Sequence, residues 1–192
     1  HWPGDQPFHY HTPVTKEMTG SVNIGRIHTS THVGTHVDAP FHYMNDGEKI
    51  IDLEIDRFIG PCKVIDLSEY EQIDEKALKS KVTEQTERLL IRTSLANNPE
   101  RFPEDVPPVT YDGAAYMHSL GVKLVGVDTP SVDPITSKEL IGHHALYKHD
   151  IYILENVMLD HVEEGDYELI ALPLPLEEAD GSLVRAVIRP IT

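Results

Sequence analysis

The chain has 192 residues, of which 40% are hydrophobic and 25% are charged, and this composition is typical of a globular domain with a sizeable core. Its 16 basic and 32 acidic residues give a formal net charge of -16 at pH 7, which disfavours binding to nucleic acid and to anionic membrane surfaces. The sequence has neither an apolar run of the ~18–20 residues that span a membrane nor a signal-peptide pattern, so we expect a cytoplasmic location. The single cysteine, Cys62, excludes an intrachain disulfide, and its apolar surroundings predict a core position.

Seven runs rich in Val, Ile and Leu predict β-strands. In chain order they cover residues 21–31, 62–67, 89–93, 122–128, 151–158, 167–172 and 183–189. Three stretches between them carry helical signals: 74–86; 111–120, with Asp112 as its cap and Gly121 as its stop; and 137–148, capped by Ser137 or Thr136. This pattern indicates one α/β domain over residues 1–192, with a mixed β-sheet and flanking helices.

The run HVGTHVDAPFH, residues 32–42, places polar side chains at alternating positions: His32, His36, Asp38 and His42. In an extended strand these side chains share one face, while Val33, Val37 and their apolar neighbours take the other. Such a strand can pack a core with one face and present metal ligands with the other. The alternative is a solvent-exposed face that is rich in histidine by chance.

The conformation of this run needs a choice, because His32 and His36 also have the i, i+4 spacing of two zinc ligands on a helix. Gly34, Pro40 and the β-branched Val33, Thr35 and Val37 disfavour a helix, so we expect a strand. A straight strand of ten residues spans roughly 33 Å, too far for all four side chains to reach one ion. We therefore expect bends at Gly34 and Pro40.

A second candidate group contains Glu155 and either His143 or His144. Glu155 falls on the same strand face as Ile151, Ile153 and Val157. A carboxylate on an apolar face is costly unless it is paired or bound to a cation, so Glu155 is a candidate ligand. The alternative is a solvated face at Glu155.

The run at residues 32–42 matches the HxGTHxDxPxH signature of the cyclase family of metal-dependent hydrolases. Other segments resemble the family as well, so that the resemblance covers nearly the whole chain: WPGD at 2–5, GVDTPSVDP at 126–134, HHAL and ILEN within 143–156, and DGSLVRAVIRP at 180–190. It implies a swivelling β/β/α fold, a homodimer and a first β-strand before the segment that opens at His1. It also implies a histidine and a glutamate twelve positions apart as paired ligands, which selects His143 and leaves His144 as the second choice.

The resulting donor set has three imidazoles, two carboxylates and no sulfur: His32, His36, Asp38, His143 and Glu155. Nitrogen and oxygen donors suit Zn²⁺ or Mn²⁺. Five ligands exceed what one catalytic zinc takes, so we infer two divalent ions per subunit, most readily zinc, with Asp38 as a bridge. Two ions about 3.5–4 Å apart can lower the pKa of a shared water toward neutrality.

Two further residues have candidate roles. His42 is not needed to fill either metal position, so we expect it to donate a proton to a departing amine; the alternatives are a sixth ligand or a residue that orients the ligands. Trp2, the only tryptophan, is a candidate for stacking on an aryl substrate, and equally for a core or interface anchor.

Within the family, the chain resembles most the members that hydrolyse N-formyl-L-kynurenine to L-kynurenine and formate in tryptophan degradation. The resemblance implies a metal-dependent amide hydrolase acting on a small aryl formamide. A serine-hydrolase mechanism is disfavoured, because no G-x-S-x-G motif occurs. The alternatives are a family member that opens a cyclic amide, such as an isatin hydrolase, and a non-catalytic protein that binds metal or a small ligand.

Overall fold

An eight-stranded mixed β-sheet forms the centre of the computed structural model, which describes residues 1–95 and 97–191. In spatial order its strands are β10 (Val187–Pro190), β8 (Gly165–Ile170), β4 (Ile59–Asp66), β5 (Arg88–Arg92), β6 (Leu124–Val127), β7 (Tyr152–Glu155), β3 (His36–Asp38) and β9 (Gly181–Leu183). The four central strands, β4 to β7, run parallel, and the outer strands pair antiparallel. The predicted α/β class with a mixed sheet is confirmed.

Three helices lie in the connections between the parallel strands and pack side by side: α2 (Glu75–Lys79), α3 (Tyr111–Ser119) and α4 (Ile141–Lys148). One core lies between these helices and the sheet, and a second core covers the opposite face. In β5, Leu89 and Ile91 enter the first core, whereas Leu90 enters the second. Because central parallel strands are buried on both faces, they appear in the sequence as continuous apolar runs.

The sheet is strongly curled. β9 and β10 lie at its opposite edges, yet only residues 184–186 connect them. Four peptide steps span at most about 14 Å, so the two edges must approach each other. The predicted strand over 183–189 was therefore wrong as one element: it contains the end of β9 and the start of β10.

A separate antiparallel hairpin, β1 (His9–Val14) and β2 (Ile24–His28), lies outside this sheet, with α1 (Lys16–Thr19) between its strands. The predicted strand over 21–31 is present but shorter, and β1 was not predicted. In the described part of the chain, no helix is both long enough and apolar enough to cross a membrane.

The helix predicted over 74–86 was wrong beyond Lys79. Asp74 caps it, since its carboxylate accepts a hydrogen bond from Ala77 N at 2.7 Å. Beyond Val82 the chain turns away, and Thr86 N donates to Leu120 O at 2.9 Å, which ties this segment to the end of α3. The β-branched residues at 82 and 83 also weaken the helix there.

The other two helices differ from prediction at their N-termini. The cap of α3 is Thr110, whose hydroxyl accepts from Gly113 N, whereas Asp112 lies in the first turn. α4 begins at Ile141, four residues later than predicted, because Leu140 has a left-handed backbone with φ 46°. Ser137 caps only the preceding turn, where its hydroxyl accepts from Leu140 N.

Candidate metal centre

The motif at residues 32–42 bends at the two expected positions. Gly34 has a φ of 63°, which favours glycine, and Pro40 begins a short 3-10 helix that ends at His42. Only His36–Asp38 is a strand, and its central side chain, Val37, lies in the core opposite the helices. The strand conformation is therefore confined to three residues, and the bends allow the flanking histidines to approach Asp38.

Two buried carboxylates form the centre of the site. β3 pairs with β7 so that His36 lies opposite Glu155, and this register brings Asp38 and Glu155 to the same place. Both residues are 3% exposed. Two carboxylates so far from water are costly unless positive charge surrounds them.

Three imidazoles supply nitrogen atoms next to these carboxylates. His36 Nε2 lies 3.2 Å from Asp38 Oδ1 and 3.4 Å from Glu155 Oε2. His143 Nε2 lies 3.3 Å from Asp38 Oδ2 and 3.8 Å from Glu155 Oε1. His32 Nδ1 lies 2.9 Å from Asp38 Oδ1. The predicted donors therefore gather around the Asp38 carboxylate, which contacts all three imidazoles and lies next to Glu155.

The second ring nitrogen of each imidazole is held by an acceptor outside the cluster. His36 Nδ1 contacts the backbone oxygen of Gly34 at 2.8 Å. His143 Nδ1 lies 2.7 Å from Asp133 Oδ2, and His32 Nε2 lies 3.1 Å from Asp180 Oδ2. Outer acceptors of this kind fix the ring orientation and the tautomer, so that the inner nitrogen can bind a cation.

The position of His143 depends on Asp133. The Asp133 carboxylate accepts from Gly142 N at 2.7 Å and from His143 N at 2.9 Å, and so caps α4 from the loop that precedes the helix. His143 is buried and faces the carboxylates, whereas His144 is exposed. This geometry favours His143 over His144.

Burial and mutual hydrogen bonds shift the pKa values of the groups in this cluster. Burial raises the pKa of Glu155 to about 8, and the Asp38 charge adds to this effect. Burial opposes a charge on His143 and on His32, but their hydrogen bonds to carboxylates raise the pKa of each to about 10. The same imidazoles hold the pKa of Asp38 well below its usual range despite its burial.

The residues fit divalent metal ions. Ligand atoms of His36, Asp38 and Glu155 lie within 4.8 Å of one another, and the same holds for His32, Asp38 and His42. Both groups contain Asp38, as expected of a bridging carboxylate. The donors are nitrogen and oxygen only, each ring is oriented from outside, and the carboxylates require compensating positive charge. Zn²⁺ and Mn²⁺ suit such a donor set.

The centre opens into a cleft of about 790 Å³ that is lined by both termini of the motif and by residues 98–103. His42, 35% exposed in its side chain, stands at the cleft with its ring centroid 3.9 Å from that of His32. Trp2 is half-buried in the cleft wall, 4.8 Å from the ring of Phe102. Trp2 thus lines the cleft, and it also packs on a neighbour.

The sequence reasoning did not identify Asp133 and Asp180. Both lie in segments that carried the family resemblance, GVDTPSVDP and DGSLVRAVIRP. No local spacing in the sequence links either aspartate to the histidine that it contacts. Cys62 is buried as predicted, and burial raises the pKa of its thiol to about 12, so it is poorly suited to act as a nucleophile.

Comparison with known proteins agrees with this geometry. The family model described as Cyclase matches residues 2–134. The kynurenine formamidase of Bacillus cereus is 56% identical over 190 residues, which cover 99% of this chain and 91% of that protein. The kynurenine formamidase of Bacillus cytotoxicus is 55% identical over the same shares.

Solved structures share the fold. A predicted metal-dependent hydrolase from Bacillus stearothermophilus has 25% identity and a TM-score of 0.79, over 95% of this chain and 87% of that one. An isatin hydrolase bound to thioisatinate has 23% identity and a TM-score of 0.77, over 95% of this chain and 82% of that one. The chain therefore belongs to the cyclase family of metal-dependent hydrolases.

Proposed function

We propose that this protein hydrolyses N-formyl-L-kynurenine to L-kynurenine and formate, a step of tryptophan degradation. The observation that carries the proposal is the pair of buried carboxylates, Asp38 and Glu155, surrounded by the inward nitrogens of three oriented imidazoles at the floor of a cleft. The likeness to two formamidases at 55–56% identity supports the choice of substrate.

The metal ligands in this proposal are His32, His36, Asp38, His143 and Glu155. Two divalent ions, zinc or manganese, would lower the pKa of water and polarise a carbonyl oxygen, and so make amide hydrolysis feasible at neutral pH. Asp38 contacts all three imidazoles, so it is the residue that would be shared by the two ions.

His42 is the proposed proton donor. Its Nδ1 lies 3.6 Å from Asp180 Oδ2, which leaves Nε2 for the substrate. When the bond between the formyl carbon and the aniline nitrogen breaks, a proton passes from His42 Nε2 to that nitrogen, and L-kynurenine leaves as a neutral amine. The competing role of His42 is that of a further ligand, which its proximity to His32 and Asp38 supports.

The cleft suits an aryl substrate with an amino-acid side chain. Trp2 and Phe102 offer aromatic faces for the ring of the substrate. Arg101 and Lys138 line the same cleft, and neither forms an ion pair with another described residue. A free cation at the cleft wall would attract the carboxylate of N-formyl-L-kynurenine. Isatin has no such carboxylate.

The decisive experiment compares turnover of N-formyl-L-kynurenine with turnover of isatin by metal-reconstituted protein. We expect formate release from the first and no ring opening of the second. Arg101→Ala and Lys138→Ala should raise KM for N-formyl-L-kynurenine but leave KM for formanilide, which has no carboxylate, unchanged. Efficient ring opening of isatin would instead support the cyclic-amide alternative. Metal binding without turnover of either compound would support a non-catalytic protein. The homodimer and the cytoplasmic location are further parts of the proposal, which gel filtration and cell fractionation would test.

A further inference from the structure

Asp180 lies in a turn that the fold holds against the motif of residues 32–42. Its backbone oxygen accepts from Ala39 N at 2.9 Å, and the next residue, Gly181, pairs with Asp38 across β9 and β3. The preceding residue is fixed as well, since Ile50 N donates to Ala179 O at 3.1 Å. The carboxylate of Asp180 is therefore held in place relative to the metal centre by backbone contacts on both sides.

The Asp180 side chain connects three residues of the site. Its Oδ1 accepts from the hydroxyl of Thr31 at 2.8 Å. Its Oδ2 lies 3.1 Å from His32 Nε2 and 3.6 Å from His42 Nδ1. One carboxylate oxygen thus faces the outer nitrogen of a proposed metal ligand and also a nitrogen of the proposed proton donor.

The ring of His32 is confined from the same side by Gly181. A Cβ atom at this position would lie 2.8 Å from His32 Cε1 and 3.1 Å from His32 Nε2, too close for any side chain without movement of the ring. The ring of His42 packs against the ring of His32, with centroids 3.9 Å apart. The orientations of the two rings are therefore linked, and Asp180 contacts both.

We propose that Asp180 is a positioning residue for the hydrolysis. It holds the ring of His32 with Nδ1 toward Asp38, and it holds the ring of His42 with Nε2 toward the cleft. This inference rests on the proposed function for its role in turnover, but its role at His32 concerns metal binding and stands apart from the substrate. Without Asp180, the outer nitrogen of His32 has no other acceptor among the described residues, and Nδ1 of His42 loses the carboxylate next to it.

The test uses Asp180→Ala and Asp180→Asn, with Glu178→Gln as a matched control. Glu178 is an exposed acid two residues upstream that pairs with Lys49, so its replacement removes the same charge without touching the site. Measurements are kcat and KM for N-formyl-L-kynurenine and formanilide, metal affinity by chelator competition, and thermal unfolding. Loss of such outer partners costs about 10–100-fold in metal affinity or activity.

We expect Asp180→Ala to lose about 10–100-fold in kcat and to bind metal more weakly, with KM nearly unchanged. Asp180→Asn should retain more of both, because its amide oxygen can still accept from one imidazole. Asp180→Ala should also cost less in a His42→Ala background, since part of its effect passes through His42. The control variant should behave as wild type.

Several outcomes would overturn the inference. Wild-type kcat and metal affinity in Asp180→Ala would do so. So would a double variant, Asp180→Ala with His42→Ala, whose kcat loss equals the product of the two single losses while metal affinity stays constant. A lowered melting temperature with unchanged kcat and metal affinity would indicate a structural role only. If the wild-type protein turns over neither substrate, the proposed function fails, and the chelator competition still decides whether Asp180 supports His32.

Discussion

Replacing Asp133 with alanine should destabilise the protein and weaken its metal centre together. Asp133 is 2% exposed, and its carboxylate accepts hydrogen bonds from the backbone amides of Gly142 and His143 and from the His143 ring. These bonds hold the pKa of Asp133 below its ordinary value even though burial opposes ionisation. Truncation leaves three buried donors without this acceptor at the start of α4.

The magnitude follows from these contacts. Loss of an ordinary N-cap costs about 1 kcal/mol, and removal of one partner from a buried charge pair costs about 3–5 kcal/mol. Since the Asp133 carboxylate both caps α4 and pairs with the His143 ring, we expect a loss of about 3–5 kcal/mol in the free energy of unfolding of the metal-free protein. Metal affinity should fall by about 10–100-fold, because His143 loses its outer acceptor.

The assay is urea unfolding of the metal-free protein, with metal affinity measured by chelator competition. Asp74→Ala is the matched control, because Asp74 caps α2 through Ala77 N but lies outside the site. The control should lose about 1 kcal/mol and bind metal as wild type does. The reasoning would be refuted if Asp133→Ala lost no more stability than the control and kept its metal affinity.

Three other predictions concern metal, proton transfer and pH. A chelator should abolish hydrolysis, and Zn²⁺ or Mn²⁺ should restore it; full turnover by rigorously metal-free protein would contradict the metal dependence. His42→Ala should keep its ions by elemental analysis but lose about 10²–10⁴ in turnover of the amide, with a smaller loss for formyl esters of acidic phenols. Loss of ions from this variant would make His42 a ligand. Burial raises the pKa of Asp128 from 3.8 to about 6, so the stability associated with this carboxyl is fully present below pH 3.8 and is lost as the pH rises through about 6. Asp128→Asn, which can still accept from Thr93 N, should therefore unfold as wild type does near pH 4 but be about 1–3 kcal/mol more stable at pH 7.5. The measurement is urea unfolding of both proteins at each pH; a variant with the same stability as wild type at pH 7.5 would argue against this.

The local sequence determined the elements whose signals are local. Continuous apolar runs identified the central strands, since parallel strands buried on both faces require them. Gly34 and Pro40 marked the bends of the motif, because their backbone preferences hold in any context. Alternation of His36 and Asp38 placed both side chains on one face, and the structure brings this face to Glu155.

Only the tertiary structure determined the features that depend on distant contacts. The true start of α4 follows from Asp133, which caps it from the preceding loop, and from the left-handed backbone of Leu140. The division of 183–189 into β9 and β10 follows from the curl of the whole sheet.

The candidate site also has features that the sequence predicts and features that only tertiary contacts determine. Residue types and strand spacing made His32, His36, Asp38 and Glu155 candidate donors, whereas the choice of His143 came from the family resemblance. Their outer partners, Asp133 and Asp180, have no such signal. They contact His143 and His32 across 10 and 148 positions of the chain, and such contacts exist only after β9 has paired with β3 and α4 has packed against the sheet. Residue type and local spacing thus identified candidate metal ligands, whereas strand pairing and helix packing decided how those side chains are held.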